Sequence, residues 1–209
     1  MKLAKNLERL GTEKAFSILA EAKKLEGQGK PMIHLGLGQP DFKTPKHIVE
    51  AAKKALDDGH HGYVLSNGIL ECRQAVTRKI KKLYNKEVDP ERVLIMPGGK
   101  PTMFYAITCF GEPGAEIIHP TPAFPIYESM INYTGSTPVP YDLTEDKDLK
   151  FDVKKILSLI TEKTRLLILI NPNNPTGSFV EKSSIDLLAE GLKKYPHVTI
   201  LSDEIYSRQ

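Results

Sequence analysis

Four short segments of this sequence carry residue types suited to binding and polarising a ligand. Asp203 and Tyr206 stand three apart in Ser202-Asp203-Glu204-Ile205-Tyr206. A carboxylate buried at a strand end needs a cationic or hydrogen-bonded partner. A tyrosine three residues on can point its hydroxyl the same way, while Glu204 faces elsewhere and takes no role. Taken alone, Asp203 also suits a helix N-cap. Upstream lies Asn171-Pro172-Asn173-Asn174-Pro175-Thr176-Gly177, directly after an apolar run. Asn-Pro and Pro-Thr-Gly are turn formers, so each part reads as a polar loop. The full seven-residue string is much rarer than either part.

Gly98-Gly99-Lys100 follows the apolar run 93–96 and opens a helical pattern. A strand, a glycine turn and a helix N-terminus bring backbone N–H groups and the positive dipole end to one point, which suits an anion. It is not a Walker A loop, because Pro101 replaces the required Ser/Thr. By itself Gly-Gly-Lys reads as a structural turn. In Pro122-Ala123-Phe124-Pro125 two prolines fix the loop and leave the ring little freedom. Phe124 then either stacks on a flat heteroaromatic ligand or packs in the core.

The elements that must position these segments follow from periodicity. Helical spacing appears at 7–25, 47–56 and 69–83. Thr44 and Pro45 read as N-cap and first position of the second of these helices, and Asp58-Gly59 as its end. Runs 93–96, 116–119, 165–170 and 198–202 read as strands. Run 137–143 is a weaker strand, confined to an edge by Pro138 and Pro140. Helical patterns at 101–110, 126–133, 153–160 and 183–194 separate them. This alternation predicts an α/β fold, a mostly parallel sheet with helices on both faces. The non-alternating runs 166–170 and 198–201 suit strands buried on both sides. Ligands bind outside the carboxyl ends of such strands, and all four segments fall there.

Composition bounds the rest. The chain has 209 residues, net charge +3 and 26% charged residues, as a globular domain with a sizeable core does. Arg78, Lys79, Lys81 and Lys82 form the densest basic cluster and read as a solvated helix face, so no nucleic-acid partner is expected. No apolar run reaches membrane-spanning length and the N-terminus lacks a signal-peptide core. Cytoplasmic residence is the resulting expectation. Cys72 and Cys109 are far apart and predict no disulfide; Cys109 reads as buried packing. The six histidines show no metal-ligand spacing, and His60-His61 read as exposed loop residues.

The 171–177 string and the Asp203-x-x-Tyr206 ending together resemble a class I/II, fold-type-I aminotransferase dependent on pyridoxal 5'-phosphate (PLP). That group includes aspartate aminotransferases. Gly36-Leu37-Gly38-Gln39-Pro40-Asp41-Phe42 adds to the resemblance. It lacks the third glycine of a dinucleotide fingerprint. The likeness runs from about residue 35 to the last residue and corresponds to about the first half of a family member.

The resemblance implies transfer of an amino group from an amino acid to a 2-oxo acid. It implies that Gly99 and Lys100 bind the PLP phosphate through their backbone and that Phe124 stacks on the ring. It implies that Asn174 and Tyr206 reach the phenolic oxygen and that Asp203 pairs with the protonated ring nitrogen. Gly38 would contact the substrate α-carboxylate. Tyr63 would reach the phosphate across a homodimer, or else pack locally. Two cis bonds, before Pro122 and Pro175, belong to the same expectation. So does a division into 1–43, an arm and small-domain segment, and 44–209, an incomplete PLP-binding large domain.

The family's cofactor-bearing lysine, which also shuttles the proton from Cα, lies further along, so no catalytic residue is assigned within these positions. Central strands of the family's sheet also come from beyond residue 209. Their loss would leave backbone groups unpaired at about 1–3 kcal/mol each, against a net stability of about 5–15 kcal/mol. The expectation is a truncated frame, a fragment, or a chain completed by another, inactive alone. Two other readings stay open: another fold-type-I PLP enzyme (a carbon–sulfur lyase or decarboxylase), or a non-catalytic remnant that binds a partner or, weakly, PLP.

Overall fold

The computed structural model describes residues 2–11, 14–35, 38, 40–143 and 152–208. The chain divides into two compact units, Lys14–Pro97 and a second that joins Met1–Glu13 to Gly98–Gln209.

The Lys14–Pro97 unit holds helices α1 (Lys14–Glu26), α2 (Lys46–Asp57) and α3 (Leu70–Tyr84). Pro45, not Thr44, occupies the cap position of α2, and no side chain caps that helix. Proline at the cap displaces threonine one residue too far out to reach the first free N–H groups. Asp58 ends α2 as expected, with Gly59 in the left-handed region at φ 83°. Arg73, 2% exposed, organises the unit. Its guanidinium donates to the carbonyls of Gly68 and Pro90 and to Glu91 Oε1 at 2.7 Å, so the buried charge is paired and hydrogen-bonded. Residues 93–96 are not a strand. An extended segment becomes a strand only with a neighbour to share its hydrogen bonds, and in this run the N–H groups of Val93 and Ile95 go to the Pro90 and Asn67 carbonyls, neither of which lies in a strand.

The helical spacing at 7–25 is also interrupted. A 3-10 turn, Lys5–Arg9, stands apart from α1. Arg9 donates to the carbonyls of Asn132 and Tyr133, and the Gly11 N–H to Ser129 Oγ. The N-terminal segment is thus drawn into the other unit instead of continuing the helix.

That other unit contains α4 (Gly99–Phe110), β1 (Glu116–Thr121), α5 (Ile126–Thr134), β2 (Thr137–Asp142), α6 (Val153–Ser158), β3 (Thr164–Ile170), α7 (Lys182–Leu192) and β4 (Thr199–Asp203). All strand pairs are parallel, in the order β2-β1-β3-β4. The proline-bearing β2 is an edge, as Pro138 and Pro140 require. Successive β3 side chains alternate between faces. Leu166, Ile168 and Ile170 pack with Ile107 of α4 and Tyr127, Met130 and Ile131 of α5. Leu167 and Leu169 pack with Val153 and Ile156 of α6 and Leu188 and Leu192 of α7. Helices therefore cover both faces. β4 departs from its expected two-sided burial: Ile200 is 45% exposed. It is the outermost strand, so its α7-side face lacks the cover that β3 receives.

Candidate functional site

Register aligns the strand ends. Ile170 of β3 lies opposite Asp203 of β4, and the Asn171 N–H donates to the Asp203 carbonyl at 3.0 Å. Parallel pairing thus delivers the 171–177 loop and Asp203 to the same level. The Asp203 side chain is half-buried. Its Oδ1 accepts the Ile205 N–H at 3.0 Å, and its Oδ2 accepts the Tyr127 hydroxyl at 2.5 Å. A carboxylate has about four lone-pair positions, so two remain for a ligand. Burial, then the bond and charge of Asp203, pushes the Tyr127 hydroxyl far above the usual tyrosine range and keeps it a donor.

Asn174 Nδ2 donates to Tyr206 Oη at 2.9 Å. The pair leaves the Tyr206 O–H hydrogen to donate onward. The two proline loops are tied as well: Asn173 Nδ2 donates to the Pro122 carbonyl at 3.2 Å and to Thr176 Oγ1 at 2.9 Å. Asn171 Oδ1 accepts the Val180 N–H at 2.9 Å and holds the far side of the loop. Peptide bonds before Pro122 and Pro175 are cis, as expected, and so is the bond before Pro172.

Phe124 packs, partly buried, against the cluster of α4, α5 and β3, and Lys100 Nζ lies 5.5 Å from its ring centre. The α4 N-terminus starts at Gly99, two residues before the expected Pro101. Gly98, which has no side chain to offer as a cap, precedes its first N–H groups with φ 104°. A Cβ at Gly98 would meet nothing within 4 Å, so room exists beside those N–H groups.

Gly99, Lys100, Phe124, Asn174, Asp203 and Tyr206 thus belong to one compact unit, in which Asn174 bonds to Tyr206 and Lys100 lies over the Phe124 ring. Gly38 and Tyr63 belong to the other. Gly38 is exposed and lies outside regular structure, while Gly36, Leu37 and Gln39 fall outside the described residues. Tyr63 is fully exposed, without local packing. Cys109, expected to be buried, is exposed on α4. Apolar neighbours in sequence place it on a helix, and 3.6-residue periodicity then turns it outward. His60 and His61 are exposed, and no cluster of metal-ligating residues occurs among the described residues. No helix among them is long and apolar enough to cross a membrane.

Two contributors escaped the sequence reading. Tyr127 comes three residues after Phe124 in the first turn of α5, a spacing that echoes Asp203-x-x-Tyr206. Asn173 sits inside the recognised string, but nothing in its type distinguishes it from Asn171 or Asn174.

The family described as aminotransferase class I and II matches residues 30–208. The aspartate aminotransferase of Bacillus subtilis is 32% identical over 208 residues, covering 100% of this chain and 53% of the relative. A probable aspartate aminotransferase of Methanocaldococcus jannaschii is 39% identical over 176 residues, covering 84% of this chain and 46% of the relative. The solved alanine aminotransferase of Pyrococcus furiosus superposes with a TM-score of 0.92 at 30% identity, covering 99% of this chain and 53% of that one. The chain spans about half the length of the curated relatives it matches. It belongs to the class I and II aminotransferase family.

Proposed function

We propose that this chain provides the PLP-holding half of an aminotransferase that moves an amino group from an amino acid to a 2-oxo acid. Aspartate is the first donor to test, since relatives from Bacillus subtilis and Pyrococcus abyssi are aspartate aminotransferases. The observation that carries the proposal is the pairing of Asn174 with Tyr206 beside Asp203, at aligned strand ends.

The residues present suit the cofactor. A helix N-terminus that follows a glycine turn, at Gly99 and Lys100, suits a phosphate. Phe124 offers a ring face. Asn174 and Tyr206 offer donors for a phenolic oxygen. Asp203, held by Tyr127 and the Ile205 N–H, would accept a bond from a protonated pyridine nitrogen. When bound, PLP supplies an electron sink for charge developing at the substrate Cα. Asp203 would strengthen that sink by keeping the ring nitrogen protonated, with Tyr127 fixing the carboxylate's orientation. Gly38 is proposed for the substrate carboxylate and Tyr63 for the phosphate of a partner copy in a cytoplasmic homodimer. The division at residue 43 belongs to the same proposal.

The test joins this chain to the part of the Bacillus subtilis relative that it does not match. Expected is PLP-dependent transfer from aspartate to a 2-oxo acid, lost in Asp203→Ala, with no turnover by the 209-residue chain alone. Turnover by the 209-residue chain, or a joined enzyme indifferent to Asp203→Ala, contradicts the proposal.

A further inference from the structure

Pro120 interrupts the ladder between two inner strands. The β1–β3 register places Ile117 opposite Leu166 and Ile118 opposite Leu167, and it ends there. The even-numbered residues of β1 point their N–H groups at β3, as the Glu116 N–H does in donating to the Lys163 carbonyl at 2.9 Å. Two residues on, the donor toward β3 is Ile118, and two further on it would be Pro120. Proline has no N–H, which is why it is seldom found in an inner strand. The Ile168 carbonyl therefore lacks the donor that its place in the ladder calls for.

Tyr141 replaces that donor. It reaches from β2, on the far side of β1, and its hydroxyl donates to the Ile168 carbonyl at 3.1 Å. Burial pushes its ionisation above the usual tyrosine range, so the hydrogen stays on the oxygen. A hydroxyl that donates its hydrogen still has lone pairs with which to accept.

Beside Tyr141, at the carboxyl ends of β2 and β3, lies a cavity of about 10 Å³. It is lined by Tyr141, Asn171, Asn173 and Ser178 and by the apolar Leu169 and Ile185. One water needs about that much room, and two to four polar partners. Asn173 spends Nδ2 on the Pro122 carbonyl and on Thr176 Oγ1. A carbonyl can only accept, so these bonds settle which end of the amide is oxygen. Asn173 Oδ1 is then a buried acceptor with no partner among the described residues, which native interiors rarely leave. Ser178 offers the complementary group. Thr176 Oγ1 accepts from Asn173 Nδ2 and from the Ser178 N–H, so its own hydrogen goes to Ser178 Oγ. The hydrogen of the Ser178 hydroxyl is left to point elsewhere.

We propose that this cavity binds one water molecule, which accepts from the Ser178 hydroxyl and donates to Asn173 Oδ1 and Tyr141 Oη. The water joins the edge strand β2 to the 171–177 loop and makes Tyr141 a positioning residue for that loop. Nothing in this inference depends on cofactor binding.

A crystal structure of the 209-residue chain at atomic resolution reads the site directly. Expected is one density peak within hydrogen-bond distance of Ser178 Oγ, Asn173 Oδ1 and Tyr141 Oη. A dry cavity, or a protein group paired with Asn173 Oδ1 in its place, overturns the proposal. Oxygen-17 relaxation dispersion of the solvent gives a second measurement, in solution, by counting waters held longer than the protein takes to tumble. The parent chain should show one more such water than Tyr141→Phe and Ser178→Ala combined. Ser178 is half-buried, so Ser178→Ala alone serves if the pair fails to fold, and it should shorten the residence of that water. A merely structural role for Tyr141 and Ser178 would lower stability and leave the water count and residence unchanged, and that result overturns the proposal.

Discussion

The Tyr127 hydroxyl donates to Asp203 Oδ2 across 76 residues of sequence, and so fastens the first turn of α5 to the last residue of β4. Tyr127 is 1% exposed. Removing its hydroxyl strips a carboxylate of a buried donor, a loss of about 1.5–3 kcal/mol for a hydrogen bond to a charged group. Tyr127→Phe should lower the urea midpoint accordingly. In a double-mutant cycle with Asp203→Asn the two changes should couple by more than about 0.5 kcal/mol. Strict additivity would show that the contact contributes nothing to stability.

His119 on β1 is 4% exposed. Burial lowers its pKa below the usual value of 6.5, against smaller opposing effects from the Pro120 carbonyl and Glu128. The unfolded chain therefore binds the proton first as pH falls. The stability tied to neutral His119 is present above about pH 6.5 and is lost as pH drops through the folded value. Urea midpoints should decline from pH 7.5 to pH 5, and His119→Leu should flatten that slope.

Asn173 holds the two proline loops together, and it is 4% exposed. Its Oδ1 is buried with no partner among the described residues. Asn173→Ala removes the two donated bonds and leaves the Pro122 carbonyl unpaired. A destabilisation of about 1–3 kcal/mol follows, together with faster amide exchange at Gly177 and Ser178. Unchanged exchange there would show that the prolines alone shape the loops.

Gly68 has φ +97°, and a Cβ there would lie 2.7 Å from Ile95 Cγ1. Gly68→Ala combines backbone strain with a collision, so a loss of more than about 1 kcal/mol is expected. A thermal midpoint within error of the parent's would contradict that reading.

The loops proposed to hold the cofactor were legible because they are strings: 171–177, Gly98-Gly99-Lys100 and Asp203-x-x-Tyr206 each sit where a strand or helix pattern changes. The run 93–96 misled because its apolar composition says nothing about whether a neighbouring strand exists. Ile200 misled for the same reason, since burial on both faces depends on what lies outside β4. Tyr127 and Arg73 were invisible because their partners, Asp203 and Glu91, are set by tertiary folding and not by spacing along a helix.

The most direct test of cofactor holding by these strand ends is a calorimetric titration with pyridoxamine 5'-phosphate, which has no aldehyde to react with surface lysines. Expected is saturable one-to-one binding to this chain, weakened at least tenfold in Asp203→Ala and in Asn174→Ala. The absence of saturable binding, or binding of equal strength by the parent and both variants, would contradict the assignment of Asp203 and Asn174 to the cofactor.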